Sequence, residues 1–243
     1  MATKSPYHII TIPPLQCSLS NPDATATTIA EKFRTLRLHS LQVNPEAFAA
    51  KYEEEVQKPL SQSLERILNP KAIHFVALQT PSDIDPATIE KDAVTRLVHD
   101  HWLGMIVLLG PQEDKGENPR DFTSNPFPAF TAGGQLVEPD ALLYRINGTF
   151  TAPEARGLGL GLKLMQAALG AAVQGGQQFG AAVRVGLAVF AHNVAATKLY
   201  EKAGFKIVED RESRSQPWTR ALVMDNVLVP RKLVMENVLV KKT

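Results

Sequence analysis

Two patterns of apolar residues alternate along the chain. Short runs rich in Val, Ile and Leu predict β-strands, whereas longer stretches with apolar residues every three or four positions predict amphipathic helices. The predicted strands cover residues 7–12, 73–78, 102–109, 141–151, 183–189 and 205–208. Because strands and helices alternate over residues 141–208 without a long linker, the pattern predicts a mixed α/β sheet flanked by helices.

Two helices are predicted between the first and second strands. The first helix carries its periodic apolar positions at Ile29, Phe33, Leu36 and Leu41. Another helix is expected to start at Asn44, with Asn as the N-cap and Pro45 at the first helical position, and to continue through residues 52–55.

Glycines mark the predicted ends of two further helices. The helix over residues 160–174 is expected to stop at Gly175 and Gly176. The helix capped by Asn193 is expected to end at Gly204, because glycine readily adopts the left-handed conformation that terminates many helices.

Two segments stand outside this pattern. Residues 111–139 form an insertion rich in Pro, Gly, Asn and Asp that carries Phe122, Phe127 and Phe130, and we expect a surface loop of the kind that often covers a site. Residues 222–229 recur as residues 233–240, with Glu236 in place of Asp225. The first copy, residues 222–229, is expected to form the last strand of the sheet. The second copy could add an edge strand, pair with another subunit or pack nowhere in particular.

Composition narrows the range of functions. With 243 residues and a formal net charge of +1, the chain is expected to form one domain and gives no electrostatic reason to bind nucleic acid. The single cysteine, Cys17, excludes an intramolecular disulfide and a cysteine zinc cluster, and the six histidines lack metal-binding spacing. The polar start and the shortness of the apolar stretch 102–109 indicate no membrane segment, so we expect a cytoplasmic protein, with the nucleus as the alternative.

The most informative motif lies where a predicted strand gives way to a predicted helix, and it reads Arg156-Gly157-Leu158-Gly159-Leu160-Gly161. A helix start offers unpaired N–H groups and partial positive charge, and glycines let an anion approach the backbone, so this junction predicts a phosphate site. A cation at a helix start is otherwise unfavourable, which makes an anion partner the better explanation of Arg156. A Rossmann loop would need glycine at Leu162, and a P-loop would need Ser or Thr after Lys163, so neither fits.

Two motifs in this order resemble those of the GCN5-related N-acetyltransferase (GNAT) family. Its R/Q-x-x-G-x-G/A pyrophosphate loop is matched by Arg156, Gly159 and Gly161. Its N-x-x-A-x-x-L-Y-x-x-x-G-F signature is matched by Asn193, Ala196, Leu199, Tyr200, Gly204 and Phe205. The resemblance implies the GNAT acyl-CoA N-acyltransferase fold, with a central mixed sheet splayed between the fourth and fifth strands. Residues 1–243 are accordingly predicted to form a single domain with its core motif region at 140–229.

The resemblance also implies a site for acetyl-CoA. In the family, the end of the central strand holds the pantetheine arm, the following loop holds the diphosphate, and an asparagine contacts the cofactor arm. The corresponding residues here are Thr149, Phe150, Thr151, Arg156, Gly157, Leu158, Gly159, Leu160, Gly161, Leu162 and Asn193. Tyr200 corresponds to the general acid for the leaving thiolate, a role that suits a phenol because it stays protonated at neutral pH.

The implied reaction is direct attack of a primary amine, from a small molecule or a peptide, on the thioester of acetyl-CoA. Family members place a catalytic glutamate at the position of Arg145 or of Ala188, so no general base is assigned here. Four other candidates, each more typical of a solvated surface position, are Glu138, Asp140, His101 and His192.

The acceptor is implied to bind between residues 34–48 and the insertion, and we expect a monomer or a homodimer without a metal site. Two alternatives remain open at this point. One is a protein acetyltransferase that modifies lysine or an N-terminal amine, and the other is a non-catalytic acyl-CoA-binding module, which stays open because no catalytic base is found.

Overall fold

The protein is described by a computed structural model that covers residues 7–80, 88, 91–112, 142–212 and 220–228. Most of the predicted insertion and the whole second copy of the repeat, residues 233–240, lie outside the described residues. The expectations for Phe122, Phe127 and Phe130 therefore stay predictions.

Seven strands of the described chain form one sheet in the order β1-β2-β3-β4-β5-β7-β6. Their bounds are Tyr7–Thr11, Ala72–Gln79, His101–Gln112, Leu142–Thr151, Val183–Phe190, Lys206–Glu212 and Arg220–Leu228 for β1 to β7. β4 and β5 are parallel, whereas β1 with β2, β5 with β7, and β6 with β7 are antiparallel. The mixed sheet is confirmed, and β7 corresponds to the first copy of the repeat.

Two compact units can be distinguished along the chain. The first contains Met1–Val107 and Gly148–Ala167, and the second contains Leu108–Asn147 and Ala168–Thr243. Each unit is thus built from two separate stretches of sequence. A single domain over residues 1–243 stays a prediction.

The first unit contains α1 (Ala24–Val43), α2 (Tyr52–Glu55), α3 (Leu60–Ile67) and α4 (Ala93–His99). α1 begins where the Asp23 carboxylate accepts a hydrogen bond of 2.7 Å from the amide of Ala26, which satisfies one of the free donors of the first turn. Its apolar face, with Ile29 and Phe33 fully or almost fully buried, belongs to the core of this unit. α1 contacts both α3 and α4.

The segment that follows α1 differs from the prediction. Instead of one helix through residues 52–55, the chain forms a 3₁₀ turn at Pro45–Ala47, becomes extended at Phe48, and resumes a helix only at α2. The Asn44 side chain makes no capping hydrogen bond to this turn. Asn44 and Pro45 thus occupy the predicted positions at the start of the turn, but the prediction of one continuous helix through residues 52–55 is wrong.

Glu55 joins three of these helices. Its buried carboxylate accepts hydrogen bonds from Arg37 of α1 (2.7 Å), from Lys58 (2.8 Å) and from Arg66 of α3. Burial by itself raises the pKa of Glu55, but the hydrogen bonds from Arg66, Arg37 and Lys58 outweigh it and hold the pKa far below its usual range. Ionised Glu55 is thus the centre of a charge cluster within the first unit.

The long helix α5 (Leu160–Phe179) does not stop at the predicted glycines. It continues through Gly175 and Gly176 because helical glycine lowers stability without forbidding the helix. Glycine at position 175 is explained by packing, since a Cβ there would collide with the hydroxyl of Tyr144. The predicted end was wrong because a close approach and a helix terminus both favour glycine.

The third strand also extends further than predicted. β3 continues through Gly110 and Pro111 to Gln112. Gly110 has a φ of 132°, and a Cβ there would lie 2.7 Å from the carbonyl oxygen of Leu143, so only glycine fits. None of the helices in the described part of the chain combines the length and apolar character needed to cross a bilayer.

Candidate functional site

The parallel pairing of β4 with β5 is short. Residues 142–145 of β4 pair with residues 183–186 of β5, and β4 then continues to Thr151. β5 stays paired with β7 through Phe190. The two strands therefore pair only along the first part of β4, as expected if they splay apart in the way that the resemblance to the GNAT family implies.

The end of β4 is fixed within the first unit. Phe150 is buried and meets the ring of His39 from α1 edge to face, with 5.8 Å between ring centroids. The amide of Ala152 donates to the carbonyl of Leu103 in β3 over 2.7 Å. A Cβ at Gly104 would lie 2.8 Å from the Phe150 carbonyl oxygen, so β3 and β4 approach closely here. Thr149, Phe150 and Thr151 therefore lie on a firmly packed strand end.

A glycine loop connects β4 to α5, as predicted. After a 3₁₀ turn at Pro153–Ala155, residues 156–159 are exposed, and the helix starts at the buried Leu160. Gly157 and Gly159 have φ values of 78° and 77°, with no atom within 4 Å of an added Cβ. Since space is available, the left-handed backbone is what favours glycine at both positions.

This loop presents backbone donors to solvent. Among the described residues, no backbone carbonyl accepts from the amides of residues 157–162, and the first such bond at the helix start runs from Lys163 to the Gly159 carbonyl, at 3.1 Å. The first turn of α5 contains no acidic residue. Consecutive free amides and the positive end of a 20-residue helix together favour an anion.

Arg156 adds a charge that is held in place. Its Nε donates to the Thr151 carbonyl over 3.2 Å, and its Nη2 donates to Oδ1 of Asn44 over 2.5 Å. The sequence placed Asn44 at a predicted N-cap and within the implied acceptor region, but did not connect it with Arg156. The two partners are 112 positions apart, and neither belongs to a pattern that would have connected them.

Lys163 follows on the first turn of α5 and is exposed. Burial lowers the pKa of His8 on β1, and the positive charge of Lys163 lowers it further. His8 is therefore favoured in its neutral form at neutral pH. The loop start thus combines two cations, Arg156 and Lys163, with a helix terminus at which cations are otherwise unfavourable.

Asn193 and Tyr200 belong to the second unit. The side chain of Asn193 accepts from the amide of Ala196 over 3.1 Å and caps α6 (Val194–Lys202), which confirms the predicted helix start. Gly204 has a φ of 97° and follows the end of this helix, also as predicted. Tyr200 is 8% exposed and packs against Phe205, with 6.2 Å between ring centroids. The roles of Asn193 towards a cofactor and of Tyr200 as an acid stay predictions.

The candidates for a general base differ in their surroundings. Glu138 and Asp140 lie outside the described residues. His101 lies 3.9 Å from the carboxylate of Glu154, and both side chains are exposed, whereas His192 stacks on Phe190 with 5.5 Å between centroids. In the part of the chain that is described, no group of three or more metal-ligating side chains occurs.

Known proteins match this chain in sequence family and in fold. Residues 128–205 match the family model described as Acetyltransferase (GNAT) family. The search of curated protein sequences returned no match.

Two solved structures illustrate the shared fold. The first is Arabidopsis thaliana NAA60 in complex with acetyl-CoA, at 15% identity and a TM-score of 0.50, with 91% of this chain and 98% of that chain covered. The second is a chimera of spermidine N-acetyltransferase SpeG from Vibrio cholerae with hSSAT, at 12% identity and a TM-score of 0.51, with 95% and 99% covered. At such identities the likeness establishes a common fold, which confirms the fold that the sequence motifs implied.

Proposed function

We propose that this chain is an acetyltransferase of the GNAT family, whose model matches residues 128–205, and that it transfers the acetyl group of acetyl-CoA to a primary amine of a small molecule or peptide. The observation that carries the proposal is the loop of residues 157–162, whose amides are open at the start of α5 beside a fixed arginine. Coenzyme A contains a diphosphate that matches this arrangement in charge and in acceptor geometry.

The cofactor arm would continue from this loop along the end of β4. Thr149, Phe150 and Thr151 follow the last residues of β4 that pair with β5, so their backbone groups are proposed to bind the pantetheine arm and to polarise the thioester carbonyl. Backbone N–H groups that stabilise the oxyanion of a tetrahedral intermediate typically contribute about 3 kcal/mol. Asn193 is proposed as a further contact to the arm.

The chemical step would be attack of a neutral amine on the thioester carbonyl carbon. A C–N bond forms, the C–S bond breaks, and the departing thiolate takes a proton from the phenol of Tyr200, which regains one from solvent. The amine proton is proposed to leave through water, because no carboxylate occupies the position of Arg145 or Ala188.

The activity can be tested by incubating the protein with acetyl-CoA and a panel of amines while free thiol is measured. The panel should contain a polyamine, a peptide with a free α-amine and a peptide with a single lysine, because these represent the acceptor classes left open. Thiol release that depends on an acceptor supports the proposal. Saturable binding of acetyl-CoA without turnover for any amine would instead support the non-catalytic module.

The role of Tyr200 has a separate test. Tyr200→Phe should lower kcat by about 10²-fold or more and leave the dissociation constant for acetyl-CoA nearly unchanged, because the variant keeps the ring but loses the hydroxyl that would protonate the thiolate. Tyr144→Phe is the matched control, since it removes another buried phenol within the same unit. If both constants change equally in Tyr200→Phe, the tyrosine has a structural role only.

A further inference from the structure

Asn44 has a side chain that is used in an unexpected way. It stands immediately before Pro45, where asparagine usually caps the following turn, yet the 3₁₀ turn at Pro45–Ala47 receives no side-chain cap. Its Oδ1 instead accepts from Arg156. Because a guanidinium only donates hydrogen bonds, the oxygen of the amide must face it. The amide nitrogen donates to Glu46 over 3.4 Å, which is consistent with this orientation.

The backbone of Asn44 is fixed on both sides. Its amide donates to the carbonyl of Ser40 at the end of α1 over 3.1 Å, and its carbonyl accepts from Ala47 over 3.0 Å. The side chain therefore starts from a well-determined position. Because its backbone is fixed, Asn44 can use its side-chain oxygen to orient the long, exposed side chain of Arg156, which would otherwise sample many rotamers.

The chemistry of the two anchors matters as much as their position. Arg156 is held by the Thr151 carbonyl and by the Asn44 amide, and both are neutral oxygens. A carboxylate in either place would neutralise the guanidinium, whereas neutral anchors leave its charge intact. Two of its five N–H groups are used, which leaves three for an anion.

From this geometry we propose that Asn44 is a positioning residue for the cofactor diphosphate, acting through Arg156. Asn44 holds the guanidinium beside the open amides of residues 157–162 before the ligand arrives, so that less rotamer freedom is lost on binding. This inference rests on the proposed function, because it requires that the loop binds the diphosphate of coenzyme A.

The test compares the binding of two ligands by calorimetry. Coenzyme A carries the diphosphate, whereas pantetheine has the same arm without any phosphate. Asn44→Ala should weaken the binding of coenzyme A about five-fold, as expected for the loss of one hydrogen bond to a charged group, and leave the binding of pantetheine unchanged. Asn44→Leu, which keeps a similar volume without the acceptor, repeats the test. Asn69→Ala, at an asparagine that accepts from the backbone of Lys71 in the same unit, is the control.

A double-mutant cycle separates positioning from a general structural role. Arg156→Ala should weaken coenzyme A binding more than Asn44→Ala does, and adding Asn44→Ala to Arg156→Ala should cause no further loss. An equal loss in both backgrounds, a loss for pantetheine, or unchanged binding in both Asn44 variants would overturn the inference. If the unaltered protein binds no coenzyme A, the proposed function itself fails, and that result is distinct from all of these.

Discussion

Gly159 and Gly170 show how the same residue type can serve different purposes within a dozen positions. Both have open space where a Cβ would be placed. Gly159 has a positive φ at the start of α5, whereas Gly170 has an ordinary helical conformation in the interior of that helix. The room for a Cβ is therefore the same at the two positions, and they differ only in backbone conformation.

The two glycines should respond to alanine with opposite signs. Gly159→Ala should lower the free energy of unfolding by about 1 kcal/mol and weaken coenzyme A binding, because alanine resists the left-handed conformation. Gly170→Ala should raise stability by up to about 1 kcal/mol, because alanine is the better helix former. Urea denaturation followed by circular dichroism measures both changes. Equal effects at the two positions would contradict the assignment of the loop conformation.

Local requirements of single residues were predictable from sequence, but distant contacts were not. The position of the loop glycines follows from the motif, and the structure adds that glycine also suits the left-handed backbone of Gly157 and Gly159. Asn44 also carries a local signal, for an N-cap, but a contact with Arg156 across 112 positions overrides it. No local rule contains that information, so this part of the site required the structure.

Among the elements, the strands were predicted best. Every strand inferred from apolar runs is present, because burial in a sheet imposes a simple pattern on the sequence. One predicted helix, from Asn44 through residues 52–55, is interrupted, and two further errors lie at the ends of elements, at Gly175 in α5 and at Gly110 in β3. In both places a neighbouring atom, from Tyr144 or Leu143, requires glycine inside an element that continues. Close packing inside an element and the end of an element both select glycine, so the sequence alone does not distinguish them.

Because residues 222–229 recur as residues 233–240, substitutions at equivalent positions of the two copies can test whether the first copy forms β7. Met224 is fully buried in β7, and Asn226 of the same strand donates to the Ala203 carbonyl over 3.1 Å. Met235 and Asn237 occupy the equivalent positions of the second copy, outside the described residues.

Alanine substitutions at the two methionines should therefore differ sharply. Met224→Ala should lower the free energy of unfolding by about 3 kcal/mol, as expected for loss of a buried methionine side chain. Met235→Ala should change it by less than about 0.5 kcal/mol if the first copy alone supplies the strand. Thermal and chemical unfolding of the two variants provide the measurement. A larger effect at Met235 would show that the second copy occupies this place in the sheet.

For the molecule as a whole, the charge cluster around Glu55 predicts how stability depends on pH. The folded-state pKa of Glu55 is depressed below its unfolded value of about 4.3. Its ionised form therefore stabilises the fold above that pH, and the contribution is lost progressively as the pH falls towards the folded-state pKa.

Glu55→Gln should accordingly be most harmful near neutral pH. We expect a loss of about 2 kcal/mol in the free energy of unfolding at pH 7, which decreases as the pH is lowered below about 4. Glu65→Gln, at an exposed glutamate of α3, is the control and should have little effect at any pH. Chemical denaturation at a series of pH values tests this. A loss for Glu55→Gln that stays constant down to pH 3 would contradict the depressed pKa.

The free donors at the start of α5 also affect the choice of solution for every measurement on this protein. If the loop binds a diphosphate as proposed, inorganic phosphate and sulfate, which carry the same kind of oxygen, are expected to compete for it and to lower the apparent affinity for coenzyme A. A zwitterionic buffer at low ionic strength avoids this competition. On the same proposal, crystals grown from ammonium sulfate are expected to bind sulfate at residues 157–162, whereas crystals grown from polyethylene glycol should leave the loop accessible to a soaked ligand.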